Sequence, residues 1–215
     1  MRNRRPALFF GLTFSLVPVA LAGAEPAAPP PMVIPHGQKD VRLATAGTYT
    51  LDPNHLAIIA HVSHLGFSMS AFRFGKAEAT LEWDPKAIAK SRLTATVETG
   101  SIATNVPGFA EELQGEQYLN AAKYPLATFV STAFRQKDAT HGKVDGTLSL
   151  MGKTMSVTFT VTLVGAGPGF AGGPVMGHVI GIHAETRIDP HAIGLPPILS
   201  APIELAIDTE FDKKS

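Results

Sequence analysis

Met155-Ser156-Val157-Thr158-Phe159-Thr160-Val161-Thr162-Leu163-Val164 alternates apolar and hydroxylated residues almost without a break. Successive side chains of an extended strand point to opposite faces. Met155, Val157, Phe159, Val161 and Leu163 therefore share one greasy face, and Ser156, Thr158, Thr160 and Thr162 share the other. A strand with one buried face needs partners, and the chain repeats the pattern. Leu93, Ala95 and Val97 alternate with Thr94, Thr96 and Glu98. Ile203, Leu205 and Ile207 stand against Glu204, Asp208 and Glu210. Further strands are expected at residues 48–51, 56–64, 126–134, 143–150 and 178–188, with one or two more in 70–83 around Gly75. Such a set makes an all-β fold, an antiparallel barrel or sandwich that is closed or nearly so. An eight-stranded barrel either fills its interior with side chains or holds one small ligand.

The ends of the chain have a different composition. Arg2, Arg4 and Arg5 precede an apolar run at residues 8–21, followed by Ala20-Leu21-Ala22 and Ala22-Gly23-Ala24. A basic start, a short apolar run and small residues at a cleavage point form an export signal, so residues 1–24 are expected to be removed. Residues 25–46, rich in Pro and Ala, read as a flexible linker, and the domain is expected over 47–212. Loss of three arginines turns 18 basic against 18 acidic residues into 15 against 18. That mildly acidic balance argues against a nucleic-acid partner. The chain has no cysteine, which excludes disulfides, thiolate nucleophiles and a lipidated N-terminal cysteine. An exported soluble protein of the bacterial periplasm is the expectation.

Two segments interrupt the strands. Asp84-Pro85 opens a helical turn, with Asp84 as its cap. Pro107, Glu111, Glu112 and the pair Phe109/Leu113 predict a short amphipathic helix within residues 105–120, ended or interrupted by Gly115. Residues 165–177, with many glycines, are expected to form an extended hairpin loop.

Tyr49-Thr50-Leu51-Asp52-Pro53-Asn54-His55 and His64-Leu65-Gly66-Phe67 resemble the opening of the YceI-like family of bacterial periplasmic proteins. Gly100-Ser101-Ile102-Ala103-Thr104, Lys123-Tyr124-Pro125, Phe129-Val130-Ser131-Thr132 and Gly146-Thr147-Leu148-Ser149-Leu150 with Gly152-Lys153 follow in the family's order, so the resemblance covers about residues 47–211. It implies an eight-stranded lipocalin-like barrel with a short helical insertion, which binds a polyisoprenoid, such as a polyprenyl or isoprenoid quinone tail, in an apolar cavity. There are two departures. Arg187-Ile188-Asp189-Pro190-His191 stands where the family often has Arg-x-Asp-Phe-Gly, and Val106-Pro107-Gly108 replaces a charged pair.

On residues alone, Phe67, Phe72, Phe74, Phe109, Leu113, Tyr118, Leu119, Phe129, Phe159 and Val161 either close-pack the interior or line a cavity; the resemblance favours the cavity. His64 is a candidate partner for a ligand oxygen. Arg187, with Arg73 and Lys153, is a candidate for a barrel mouth that meets an anionic or carbonyl head group. His61 and His64, three apart on a strand, face opposite sides and make a poor chelate, so no metal is expected, and no cofactor beyond the lipid. No Gly-x-Ser-x-Gly elbow occurs, and the glycines at 167–173 do not lead from a strand into a helix, so a binding protein is expected rather than an enzyme. Two other readings remain. One is an enzyme acting on a small apolar substrate with His64 as acid or base; the other is an interaction module that docks a membrane partner through residues 107–120. A homodimer is open as well.

Overall fold

The computed structural model describes residues 34–171, 174 and 176–214. The expected signal peptide and residues 25–33 of the expected linker lie outside the described residues. The strands are β1 (Gly47–His64), β2 (Ser68–Phe74), β3 (Ala77–Trp83), β4 (Arg92–Glu98), β5 (Ile102–Ala103), β6 (Leu126–Gln136), β7 (His141–Leu150), β8 (Lys153–Phe170), β9 (Met176–Ile188) and β10 (Ile203–Lys214). Among the described residues a single α-helix, α1 (Phe109–Gln114), lies between β5 and β6.

Every pairing is antiparallel, and neighbours in the sheet run β10-β9-β8-β7-β6-β4-β3-β1-β2-β5. A further pairing of β10 with β1, through Ile58↔Ile207 and Ala60↔Leu205, closes the sheet on itself. β3 pairs with the first residues of β1 and β2 with its last, so the two act as one bent stave. β5 in turn continues the line of β4 beside β2. Ten strand segments therefore build a closed barrel of eight staves. Closure removes the unpaired edges that an open sheet exposes.

The alternation read in the sequence sets the facing. On β8, Val157, Phe159 and Leu163 are buried while Ser156, Thr158 and Thr160 are exposed. The strands expected at 48–51 and 56–64 are one continuous β1, with its register shifting between Leu51 and Leu56. At Asp84, the side chain accepts from the Lys86 N–H and makes a turn, with a single 3₁₀ turn at Ile88–Lys90. Gly108 adopts a left-handed conformation (φ 77°) at the start of α1, and Gly115 stops it after six residues.

Two expectations are corrected. Most of residues 165–177 is strand: Gly165 pairs with Gly181, Gly167 with Val179 and Gly169 with Gly177. Glycine costs a strand packing area but leaves its ladder hydrogen bonds intact. At Gly165 the missing Cβ has a use, because one would stand 3.1 Å from the Gly37 Cα. The second correction concerns the linker, whose described part lies against the barrel. Gln38 exchanges backbone hydrogen bonds with Ala166 at 3.0 and 2.8 Å. Ala44 is fully buried, and the Tyr49 hydroxyl donates to the Thr45 carbonyl at 2.8 Å. Proline and alanine composition does not reveal this strap, because its anchors are main-chain groups.

Gly146 tests the packing. A Cβ there would stand 2.3 Å from the Phe129 ring and 2.6 Å from the Val130 carbonyl oxygen. The ring lies across the glycine, and no room remains for a methyl group. Gly146→Ala should destabilise the barrel by about 1–3 kcal/mol, the usual range for overpacking. Chemical denaturation should show it, while an unchanged midpoint would contradict this packing.

Candidate functional site

The inner faces of the staves enclose a cavity of about 330 Å³. It follows β10 through Ile203, Leu205, Ile207, Thr209 and Phe211, an alternating series over eight residue steps. At ~3.3 Å per residue this spans roughly 26 Å of strand. Beside it lie Leu56, Ile58 and Ala60 of β1, paired with Thr209, Ile207 and Leu205, and Phe129 of β6 with Phe159 and Val161 of β8 continue the wall. The space is long, and its walls are almost wholly apolar.

Small residues make the room. Ala60, Ala77, Ala79, Ala95, Ala127 and Ala184 all line the cavity at inward positions. Strand number fixes the width of a barrel, so a short side chain on an inner face leaves space that its neighbours cannot collapse to fill. The reading from large aromatics missed these alanines. The signal was present in the alternation of Leu93, Ala95 and Val97, where alanine holds an inward place.

The two ends of the cavity differ. One receives Val41 of the strap, Trp83, Ile88, and the β6–β7 turn from Gln136 to Lys143. That turn supplies a cluster of polar lining residues, Gln136, Asp138, Thr140, His141 and Lys143. Asp138 accepts from the backbone N–H groups of Thr140 and His141 and from the His141 ring, which hold its carboxyl down to about 2. Asp138 therefore keeps its charge across the ordinary pH range. The other end is floored by Leu119, Ile193 and Leu195. Ile193 and Pro190 are both buried, so the segment that departs from the family pattern after Arg187 folds back as part of the cavity floor.

The twelve candidate residues divide into three groups. Phe74, Leu119, Phe129, Phe159 and Val161 line the cavity, and the Phe129 and Phe159 rings meet edge-to-face at 5.2 Å. Phe72, Phe109, Leu113 and Tyr118 instead gather around Ile102 and Leu119 as a separate apolar cluster beneath the insertion, with the Phe72 and Phe109 rings 6.0 Å apart. This cluster anchors α1 to β2 and touches the cavity only through Leu119 and Phe74.

Phe67, His64 and Arg187 lie away from the cavity. Phe67 is 87% exposed just after the β1–β2 turn. Alternation breaks down at a turn, so its aromatic ring was no guide to burial. His64, the last residue of β1, is exposed in the same hairpin, which removes it as an internal partner of a ligand oxygen. Arg187 faces outward and makes a 2.7 Å ion pair with Glu204, its cross-strand partner on β10. Of its two companions, Arg73 donates to the Leu56 carbonyl on the outer face, and Lys153 is exposed at the start of β8.

Titratable clusters stand on the outer surface. His55 Nδ1 lies 2.6 Å from the buried Asp52 carboxylate and 3.7 Å from Glu210. The three offer ligand atoms within 4.8 Å of one another, and Asp52 and His55 are already joined by a short hydrogen bond. Burial alone would raise the Asp52 carboxyl, but hydrogen bonds from His55 and the Asn54 backbone bring it below its ordinary value. His183 bridges Asp208 at 2.8 Å and Glu185 at 3.2 Å through its two ring nitrogens. Both histidines are raised above 6.5, His55 chiefly by its Asp52 bond and His183 by its Asp208 bond. A raised folded value means stability that is complete below 6.5 and lost as pH climbs through that raised value. The melting temperature should therefore decline as pH rises above 6.5, and His55→Gln with His183→Gln should flatten the decline. An unaltered slope in the double variant would contradict these pairings.

Comparison with known proteins gives a consistent set. The YceI-like domain model matches residues 49–211. Protein YceI of Escherichia coli O157:H7 is 34% identical over 147 residues, covering 67% of this chain and 74% of that one. The crystal structure of a Campylobacter jejuni YceI protein superposes with a TM-score of 0.62 at 25% identity, covering 72% of this chain and 91% of that one. A domain from Saccharophagus degradans, described as polyisoprenoid-binding, shares the fold at a TM-score of 0.54 and 12% identity, over 76% of this chain and 97% of its own.

Proposed function

We propose that this chain, which belongs to the YceI-like family, encloses a single long apolar lipid within its barrel and carries or stores it in the periplasm. The lipid is a polyisoprenoid, a polyprenyl or isoprenoid quinone chain. The observation that carries this reading is the shape and chemistry of the cavity: elongated, lined by alternating aliphatic side chains, and opened by inward alanines. Burial of methylene groups stabilises by about 0.8 kcal/mol each, so a chain of tens of carbons binds tightly with no polar contact. A branched isoprenoid has methyl groups that fit recesses above alanines. The polyisoprenoid-binding description of the Saccharophagus domain, which shares this fold, supports the same ligand class.

Polar groups cluster at the β6–β7 turn, so the head group of the lipid sits at that end and the tail runs toward Leu119 and Ile193. Export by the N-terminal segment and a periplasmic location belong to the same reading. The walls offer aliphatic and aromatic groups, which suit holding a lipid and not reacting with it.

Filling the cavity tests the proposal. Ala95 faces inward and Thr94, its neighbour on β4, outward. Ala95→Trp should weaken binding of a fluorescent polyprenyl analogue by at least about tenfold, the effect of displacing roughly two methylene groups, whereas Thr94→Trp should leave it unchanged. Equal affinity in both variants would place the lipid outside the barrel and overturn the reading.

A further inference from the structure

The β1–β2 hairpin ends in a conspicuously apolar tip. Its two turn residues, Leu65 and Gly66, both have positive φ, 52° and 80°, and the Phe67 N–H donates to the His64 carbonyl at 2.9 Å. Such a turn ordinarily takes Asn-Gly or Asp-Gly, whose short polar side chains tolerate this backbone and stay in water. Here a leucine occupies the strained position and is 61% exposed, with Phe67 and Met69 also exposed beside it. From Val62 to Phe72 there is no Lys, Arg, Asp or Glu. Val106 and Ile198, exposed in the loops before α1 and before β10, belong to the same end of the barrel.

The tip continues into a groove of about 610 Å³ on the outer face of β2. Ile59, Met69, Ala71, Val106 and Phe109 line it, and Arg73 is its one charged side chain. The Arg73 guanidinium is bonded to a backbone carbonyl, so its charge is available. Two carboxylates further round the sheet are already paired, Glu98 of β4 with Lys76 at 3.2 Å and Glu204 of β10 with Arg187 at 2.7 Å.

We propose that this hairpin docks the protein on a bilayer bearing anionic headgroups. Leu65, Phe67 and Met69 enter the boundary between headgroups and acyl chains, and Arg73 meets a phosphate at the end of the groove. An uncharged apolar wedge backed by an arginine suits that boundary, since nothing charged has to shed water and the guanidinium fork matches phosphate oxygens. A protein partner would need a pocket matched to a protruding tip; a bilayer needs only the apolar wedge and the cation. The inference stands apart from what the barrel holds.

The test uses the full chain and vesicles of phosphatidylcholine with and without phosphatidylglycerol. The apolar run at residues 8–21 is common to every variant, so differences between variants report the hairpin. Phe67→Trp, in a chain with a single native tryptophan, Trp83, should show emission quenched by brominated acyl chains beyond that of the parent. Leu65→Asn creates an Asn-Gly turn and so keeps the hairpin folded, yet should weaken partition about tenfold through loss of one large apolar side chain. Arg73→Gln should abolish the preference for vesicles with phosphatidylglycerol. Quenching no greater than the parent's, or partition unchanged by Leu65→Asn, would leave the tip in water and overturn the proposal.

Discussion

Closure of the β1–β10 ladder is the constraint on which the rest depends. Once Ile58 pairs with Ile207, eight staves fix the perimeter, and the width of the interior no longer adjusts to the side chains inside it. An open two-layer sandwich collapses onto small residues; a hydrogen-bonded cylinder cannot. Ala60, Ala79, Ala95 and Ala184 therefore leave space instead of drawing the walls together. Phe129 and Phe159 brace the wall edge-to-face, and Gly146 lets the Phe129 ring lie flat across β7. The cavity thus follows from backbone geometry joined to the choice of alanine at a few inward positions.

Much of the barrel was legible because strand alternation is a local property. Residues 155–164 and 203–211 announce their faces without reference to any partner, and Phe129, Phe159 and Val161 fall inward as their parity requires. The readings failed where locality ends. At Phe67 and His64 the alternating series runs into a turn, and hydrophobic character no longer predicts burial. Arg187 finds its partner in Glu204 across the β9–β10 ladder, a pairing that depends on register and not on spacing. The aromatics at 72, 109 and 118 are half-buried, but they fasten the helical insertion and do not line the cavity.

The strap at residues 38–46 shows the same limit from the other side. Its contacts are backbone hydrogen bonds to Ala166, a carbonyl that accepts from Tyr49, and glycines close enough to touch at 37 and 165. None of these leaves a mark in composition, which suggested a linker. With Val41 it closes one end of the cavity, while residues 190–195 close the other. Both closures come from segments that the strand pattern does not cover. The outward histidines, His55 and His183, likewise take their carboxylate partners partly from β10, far away in the chain.

The central claim is that this interior holds one isoprenoid chain. Its most direct measurement is mass spectrometry of the organic extract of protein purified from its own host without detergent, with lipid counted against protein. A polyisoprenoid near one per barrel is the predicted result. An extract with no isoprenoid, from protein whose cavity holds water or ordinary phospholipid acyl chains, would contradict the account.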